Sequence, residues 1–408
     1  MLGDLTLLGK LFSLIGLWAF SFVVMATPQE QLLENLKSRM KMLPNNKGEL
    51  IQSYPSSTQS YIYDQALAII AFTKADDRFS AQSLLRAMET LQIQDGSLYF
   101  SYYLNGESPY PIEGDKRYAG AIAWLSIAAN HYQSKFKTDE FLDFNIKVLT
   151  YLSGQLQKVD IKGLHTLALK FGPTDIKSTA WREDLTAALE HNLDAYAAFR
   201  DFNQLNTKPN WKKETVMLKG FILSLWDRER SHFWSGMNVA TGEINKSELY
   251  LDNQSWSFLA LDSGTIKDLN FKEAFDLNCE SFYVEHEGIT GFMDSKPTRQ
   301  PASTQFVWSE GSLGQILAMA KYEKTYATPI RCQQKKTGDL LKSVMKMKKA
   351  DGGIAYATTT SNKDFSTASS VAGTAWMYFA LNGINPFELD ERRRLIKLVE
   401  SGAKIPDL

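Results

Sequence analysis

Two kinds of hydrophobic pattern alternate along the chain. Six segments mix small and large apolar residues, carry almost no charge after their first turn, and recur at a period of about 60 residues. This pattern predicts helices that are buried on all sides, with Gly and Ala allowing neighbouring backbones to approach closely. The six segments begin at Tyr63, Tyr118, Glu190, Asp252, Glu310 and Ser370.

Amphipathic helices with one charged face are predicted between the buried ones. They cover Gln29–Met40, Phe79–Leu91, Asp139–Leu156, Trp211–Trp226, Asn270–Tyr283, Thr337–Met347 and Glu388–Glu400. The alternation favours two concentric rings, with the amphipathic helices wrapped around the buried ones, which is an all-α (α/α)6 barrel. A helical solenoid is the alternative, but solenoids rarely bury one helix of each pair so completely.

The segments that join the helices differ in length on the two sides of this ring. Connections from a buried helix to the next amphipathic helix are short, such as 74–78 and 205–210. Those that return to the next buried helix run to about 20–25 residues, a length that is usually functional. The long ones all reach the N-terminal ends of the buried helices, so we expect the open mouth of the ring at that end.

Four acidic residues stand in the first turns of four different buried segments: Asp64, Glu190, Asp252 and Glu310. In a closed ring they converge on one concavity, where a protonated and an ionised carboxyl group are what glycosidic hydrolysis needs. Each one alone is also explained by the preference of acidic residues for helix N-termini. Asp194 lies one turn below Glu190, where apolar surroundings would raise its pKa unless it only hydrogen-bonds a neighbouring helix.

Side chains suited to binding sugars lie near the same end of the buried segments. Aromatic faces stack on sugar rings, and amide and imidazole groups hydrogen-bond hydroxyls. The candidates for substrate binding are Tyr63, Tyr118, Trp181, His191, Asn192, Trp234, Gln254, Trp256 and Trp308. Core packing explains better the three tryptophans that fall in the middle or at the end of a helix: Trp124, Trp226 and Trp376.

The charge balance and the motif inventory narrow the function further. The 45 basic and 46 acidic residues give a net charge of −1 without a long run of either sign, which argues against a nucleic-acid partner. HExxH, CxxC, GxSxG and Walker motifs are absent from the sequence, and no histidines pair at metal-ligand spacing. We therefore expect no metal, no nucleotide and no other cofactor.

Residues 1–26 have the pattern of a signal peptide. The apolar run Leu11–Met25 is shorter than the roughly 20 residues of a membrane span, and Val24 and Ala26 fit cleavage after Ala26. We expect residues 27–408 to form a single exported domain, secreted or periplasmic, with an uncleaved N-terminal anchor as the alternative. The only cysteines, Cys279 and Cys332, form either a disulfide or two buried thiols.

From Gln29 onward the chain resembles the six-hairpin glycosidase-like superfamily, in its secreted bacterial branch. The resemblance rests on YDQALA, YAGAIAW, EHNLDAY, DNQSW, WSEGSLG and SVAGTAW, each at a buried segment. That superfamily includes bacterial endoglucanases, chitosanases and unsaturated glucuronyl hydrolases, whose acid and base carboxylates project from inner-helix N-termini, commonly with inversion. The resemblance implies the same positions here, namely Asp64, Glu190, Asp252 and Glu310.

The sequence thus predicts a glycoside hydrolase that acts on an extracellular or cell-envelope polysaccharide or oligosaccharide by an inverting mechanism with two carboxylates. We expect Glu190 to be the acid and Asp64 or Asp252 to be the base. The alternatives are a polysaccharide lyase or sugar epimerase on the same barrel, and a carbohydrate-binding ring without catalysis. The expected partner is the carbohydrate, with a polysaccharide synthesis or export apparatus as a further candidate.

Overall fold

The computed structural model describes residues 26–55, 57–104, 109–111, 116–161, 163–172, 185–297, 305–360 and 365–389. The predicted signal peptide, Trp181 and the predicted helix Glu388–Glu400 fall outside this part of the chain, apart from Ala26, Glu388 and Leu389.

The described residues are mainly helical, and all six buried segments are helices, as predicted. The six amphipathic helices predicted up to Met347 are confirmed with shifts of one to three residues at most of their ends. The helices are α1 (Pro28–Ser38), α2 (Ile62–Lys74), α3 (Arg78–Leu91), α4 (Ala119–Phe136), α5 (Leu142–Gln155), α6 (Leu189–Leu205), α7 (Lys212–Ser224), α8 (Leu251–Ala260), α9 (Ser263–Ile266), α10 (Phe271–Phe282), α11 (Ser309–Tyr326), α12 (Thr337–Val344) and α13 (Val371–Asn382).

Short antiparallel strands occupy the long connections, which the sequence had predicted only as loops, and one further pair lies in the connection from α11 to α12. Strands of two to six residues carry too little alternation to be recognised in a sequence. They are β1 (Met40–Met42), β2 (Glu49–Ile51), β3 (Gln59–Tyr61), β4 (Ser101–Tyr103), β5 (Tyr110–Pro111), β6 (Leu156–Ile161), β7 (Leu164–Leu169), β8 (Thr186–Ala188), β9 (Trp226–Asp227), β10 (His232–Phe233), β11 (Gly236–Asn238), β12 (Glu243–Ile244), β13 (Glu248–Tyr250), β14 (Tyr283–His286), β15 (Ile289–Phe292), β16 (Ser295–Pro297), β17 (Arg331–Cys332), β18 (Lys335–Lys336), β19 (Ile354–Ala355) and β20 (Ser369–Ser370).

Six helices, α2, α4, α6, α8, α11 and α13, pack in a closed cycle, which we call the inner ring. Each contacts the next along the chain, and α13 contacts α2. Each inner helix also packs against one further helix. The pairs are α3 on α2, α5 on α4, α7 on α6, α10 on α8, α12 on α11 and α1 on α13. The inner helices are buried around most of their circumference, as their apolar sequences predict.

A cycle of backbone hydrogen bonds joins the N-terminal ends of the inner helices. We call the long connection that precedes each inner helix its link. The first N–H of every inner helix donates to a carbonyl in the link of the next one, at 2.8–3.1 Å, which satisfies a group that helix ends otherwise leave unpaired. The pairs are Ile62 to Phe100, Ala119 to Phe171, Leu189 to Ser235, Leu251 to Asp294, Ser309 to Tyr356 and Val371 to Ser53.

The fourth residue of an inner helix binds the helix to its own link. In α6, Asn192 accepts from the N–H of Leu169 at 2.7 Å and donates to the carbonyl of the same residue at 3.0 Å. Gln65 binds both backbone groups of Ile51, Gln254 those of Phe233, and Ser312 those of Phe292; Thr374 accepts from Ile354. In α4 this position holds the apolar Ile122.

Arg39, only 4% exposed, holds the junction at which the last and first inner helices meet. Its guanidinium donates to the Ser369 hydroxyl at 2.6 Å and to its carbonyl at 3.2 Å, and it reaches the carbonyl of Ser53. It also pairs with Asp351 at 3.2 Å. A buried guanidinium therefore joins the link of α2 to the link of α13.

The segment after α13 crosses the ring at the end opposite the links. Asn385 donates to the carbonyl of Leu259 at 2.8 Å, and the ring of His131 bonds the carbonyl of Pro386 at 2.8 Å. Phe387 is fully buried, with its ring 4.8 Å from Trp124. These contacts place Phe387 on the ring axis.

Cys279 in α10 and Cys332 in β17 form a disulfide, which resolves the two alternatives left open by the sequence. The bond joins the outer helix of one repeat to the connection that leads to α12. None of the helices in the described ranges is long and apolar enough to cross a membrane.

Replacing Gln254 with Met should lower the free energy of unfolding by about 2–4 kcal/mol, because the N–H and the carbonyl of Phe233 both lose their buried partner. Chemical denaturation measures this effect. Gln334→Met, at an exposed position in the turn between β17 and β18, is the control and should change stability by less than about 0.5 kcal/mol. Equal effects of the two substitutions would contradict the anchoring role.

Candidate active site

The four predicted carboxylates lie in one electrostatically connected group at the N-terminal ends of the inner helices. Glu190, Asp252 and Glu310 are each the second residue of their helix, and Asp64 is the third residue of α2. Glu190 interacts with Asp252 and Glu310, and Glu310 interacts with Asp64 and Asp252. The ring therefore brings the four side chains together; that they carry out catalysis stays a prediction.

Glu190 and Asp252 form the central pair of this group. Burial raises the pKa of Glu190 well above its usual range, and the nearby carboxylates of Asp252 and Glu310 raise it further. Burial, followed by the charge of Asp294, raises the pKa of Asp252 to about 7. Glu190 nevertheless keeps partial exposure to solvent. A pKa of about 7 leaves Asp252 close to half ionised at neutral pH, whereas the upward shift in the pKa of Glu190 favours its protonated form.

Asp194 lies one turn below Glu190 on α6 and is 1% exposed. Burial raises its pKa well above the usual range, and the carboxylates of Glu190 and Asp252 add to this effect. The indole of Trp124 is the neighbour that lowers it. The sequence-based expectation of a raised pKa at this depth is confirmed in direction.

Two tyrosines surround Glu310. The hydroxyl of Tyr63 donates to Oε1 of Glu310 at 2.5 Å and accepts from the indole N–H of Trp376 at 3.0 Å. The side chain of Tyr356 also faces this carboxyl group. Burial raises the pKa of Glu310 to about 8, although both tyrosines lower it. Tyr63, predicted to bind substrate, is thus engaged with a carboxyl group of the site.

Asp64 has a different environment from the other three carboxylates. The side chain of Ser53, the charge of Arg39 and the backbone N–H of Ala372 all favour its ionised form. Burial outweighs them and raises its pKa to about 7. Asp64 therefore takes part in the junction between α13 and α2. In the ring, α4 separates its helix from α6, which carries Glu190.

Three tryptophans from alternate inner helices form the floor of the site together with Phe387. The rings of Trp256 and Trp376 are stacked with centroids 5.8 Å apart, and Trp124 lies edge-on to both. Trp256 is 2% exposed and lies deeper than the predicted position near the mouth; that it binds substrate stays a prediction. Because α8 begins at Leu251, Trp256 lies beyond the first turn and packs into the ring axis.

A gap in the acidic series occurs at α4. Its second residue is Gly120, where an added Cβ would lie 2.3 Å from the His191 ring and 2.9 Å from the Asp194 carboxylate. Burial lowers the pKa of His191 to about 3, so this imidazole is neutral. Its ring lies 4.0 Å from Phe171 and 6.2 Å from Tyr118. Glycine thus lets α6 present its polar side chains close to α4.

Several predicted substrate-binding residues have other partners. The amides of Asn192 and Gln254 bind the backbone of their links and are buried, so the structure gives them an anchoring role in place of the predicted sugar binding. Trp234 is buried with Arg230 and Lys246 over its ring, at 5.7 and 5.5 Å. Trp308 caps α11 beside Tyr356.

Sequence reasoning missed Asp294 and Tyr356, which face Asp252 and Glu310 from the links. The one signal they share is an apolar residue two positions earlier, Phe292 and Ile354. That spacing is too common in proteins to mark a site. Within the described ranges, no group of three or more His, Cys, Asp or Glu residues is arranged to hold a metal ion.

Comparison with solved structures reveals the same fold in carbohydrate-active proteins. A sugar epimerase from a ruminal bacterium matches with a TM-score of 0.61 and 11% identity, over 88% of this chain and 99% of that one. A GH76 α-mannanase from Bacteroides thetaiotaomicron matches with a TM-score of 0.58 and 11% identity, over 91% and 96% of the two chains. The family 8 endoglucanase Cel10 from Klebsiella pneumoniae matches with a TM-score of 0.54 and 13% identity, over 86% and 99%.

The resemblance to six-hairpin glycosidases is therefore confirmed at the level of the fold. No protein-family model matches the chain, and a search of curated proteins also finds no match. At such low identity, the fold likeness assigns neither a substrate nor a reaction to this protein.

The pH dependence of stability should report on the buried carboxyl groups. Asp194 has a raised pKa in the folded protein, so the folded state binds more protons than the unfolded state above about pH 4, and its contribution to stability falls as the pH rises. Asp194→Asn should therefore lose less stability than the wild type between about pH 5 and pH 8. Urea denaturation at both pH values measures the difference.

Asp268→Asn is the matched control, because Asp268 is exposed on the outside of the ring. It should leave the pH slope of the wild type unchanged. A slope that Asp194→Asn does not reduce would contradict the protonated state of this group.

Proposed function

We propose that this protein is a glycoside hydrolase of the (α/α)6-barrel type, acting on an extracellular or cell-envelope polysaccharide or oligosaccharide. The observation that carries the proposal is the pair of Glu190 and Asp252, on neighbouring inner helices, with interacting carboxyl groups and raised pKa values. Perturbed carboxyl groups of this kind concentrate at catalytic sites. The fold shared with known carbohydrate-active enzymes supports the choice of reaction class.

In the proposed mechanism, Glu190 is the general acid. Its raised pKa favours the protonated form that an acid needs to donate to the leaving glycosidic oxygen, and its partial exposure gives it access to substrate. Asp252 is the base that takes a proton from the attacking water. Attack from the opposite face of the sugar would give inversion at the anomeric carbon.

Asp64 is the weaker candidate for the base. Its contacts with Ser53, Arg39 and the backbone of Ala372 give it a place in the junction between α13 and α2. Asp64 interacts with the carboxyl group of Glu310, whereas Asp252 interacts with Glu190 itself. Glu310, held by Tyr63 and Tyr356, is better suited to binding sugar hydroxyls than to moving a proton along the reaction path.

We also propose that residues 27–408 act as one exported domain after removal of residues 1–26. The disulfide between Cys279 and Cys332 supports export, because such bonds persist mainly in oxidising compartments. The carbohydrate is the proposed partner. A location beside a polysaccharide synthesis or export apparatus would be consistent with a cell-envelope substrate.

A sugar epimerase is the second candidate, since the sugar epimerase from a ruminal bacterium shares the fold. His191 supplies a neutral imidazole within the site, beside Asp194 and Phe171. Proton exchange at a sugar carbon needs both an acid and a base, and here His191 would have to work with a carboxyl group. Incorporation of solvent deuterium into unhydrolysed sugar distinguishes this reaction from hydrolysis.

Replacing Glu190 with Gln or Asp252 with Asn should each lower kcat/KM by about 10²–10⁴-fold, the usual contribution of a general acid or base. Release of reducing ends from a panel of glycans measures the effect, and NMR of the first-formed anomer checks inversion. Asp64→Asn should retain more activity than Asp252→Asn.

Three outcomes would contradict this assignment. Undiminished hydrolysis by Glu190→Gln removes that residue from the mechanism, and the appearance of unsaturated uronate products indicates a lyase. Binding of glycans without turnover by the wild type indicates a carbohydrate-binding ring that lacks catalysis.

A further inference from the structure

Each inner helix has one link residue fixed beside its first turn. This is the residue whose carbonyl accepts the first N–H of the helix, and we call it the companion of that helix. Asp294 is the companion of α8, through a hydrogen bond of 2.9 Å from Leu251, the residue before Asp252. Tyr356 holds the same position at α11, through a bond of 3.0 Å from Ser309, the residue before Glu310.

The two companions have opposite chemistry. Tyr356 presents a hydroxyl donor to Glu310, whereas Asp294 presents a second carboxylate to Asp252. The same type of backbone hydrogen bond therefore gives two acids at equivalent positions different environments. The strand pair β13–β16, which aligns Tyr250 with Ser295, fixes the backbone on both sides of the contact.

We propose that Asp294 is a positioning residue for Asp252, and that its carboxylate makes Asp252 a stronger base toward the attacking water. The inference rests on the proposed hydrolase function and deepens it. Asp294 acts through Asp252 and need not touch substrate. A carboxylate that must take a proton from water works better when a nearby negative charge favours its protonated form.

Other ionisable groups also face this pair. Glu190 and Asp194 on α6 and Glu310 on α11 interact with Asp252 from the two inner helices that adjoin α8. Glu248 on β13 acts on Asp294 and hydrogen-bonds the hydroxyl of Tyr250. Among these charged groups, Asp294 has the largest effect on the pKa of Asp252. Only burial has a larger effect.

The pH profile of kcat/KM tests the proposal. The rising limb should reflect ionisation of Asp252, near pH 7 in the wild type. Asp294→Asn removes the neighbouring charge while keeping the side-chain shape, so the limb should move to lower pH by about one unit. The plateau rate should fall about threefold, because the base is weaker. Asp294→Glu should restore the position of the limb.

Glu243→Gln is the matched control, since it removes one negative charge from an exposed position on β12. It should leave the limb where it is in the wild type. An unmoved limb in Asp294→Asn, or an equal shift in Glu243→Gln, would overturn the proposal.

A double-mutant cycle provides a readout that needs no turnover. Stability is compared for wild type, Asp252→Asn, Asp294→Asn and the double variant at about pH 5 and pH 8. Repulsion between two ionised carboxylates predicts a coupling that grows with pH, whereas additivity at both pH values would overturn the pairing. If the wild type hydrolyses no glycan, the proposed function fails, and this cycle alone decides whether Asp294 acts on Asp252.

Discussion

The cycle of six backbone hydrogen bonds between inner-helix N-termini and neighbouring links is the constraint on which the rest of the molecule depends. Each bond satisfies an amide that a helix end leaves without a partner, and each joins one repeat to the next. The acidic residues follow immediately after these amides. The same bonds that close the ring therefore hold Glu190, Asp252 and Glu310 at equal depth on its inner side.

The site concentrates carboxyl groups in surroundings that oppose their ionisation. The aromatic floor of Trp124, Trp256 and Trp376 excludes water from below, and every additional carboxylate raises the pKa of its neighbours. The raised pKa values of Asp194 and Glu190 favour their protonated forms, so their ionisation as the pH rises costs stability. Packing alone does not explain these buried acids, because apolar residues would fill the same volume more favourably.

Much of the fold could be predicted because the inner helices are apolar all round, a signal that is strong in each segment and repeated six times. The first-turn carboxylates were equally visible. The roles of Asn192 and Gln254 were not, because an amide that anchors a link and an amide that binds a sugar are the same residue type. Asp294 was missed because it reaches Asp252 through pairing between β13 and β16, which are separated by a whole helix pair.

The junction held by Arg39 gives the ring a particular folding problem. Every other pair of adjacent inner helices is also joined by the intervening chain, whereas α13 and α2 meet through noncovalent contacts between distant parts of the sequence. Contacts of such high sequence separation are slow to form, because loop-closure entropy is lost before they contribute. Closure of the ring therefore depends on this one contact, which no direct chain connection supports. Only with that contact do Asp64 and Glu310 face each other across the completed mouth.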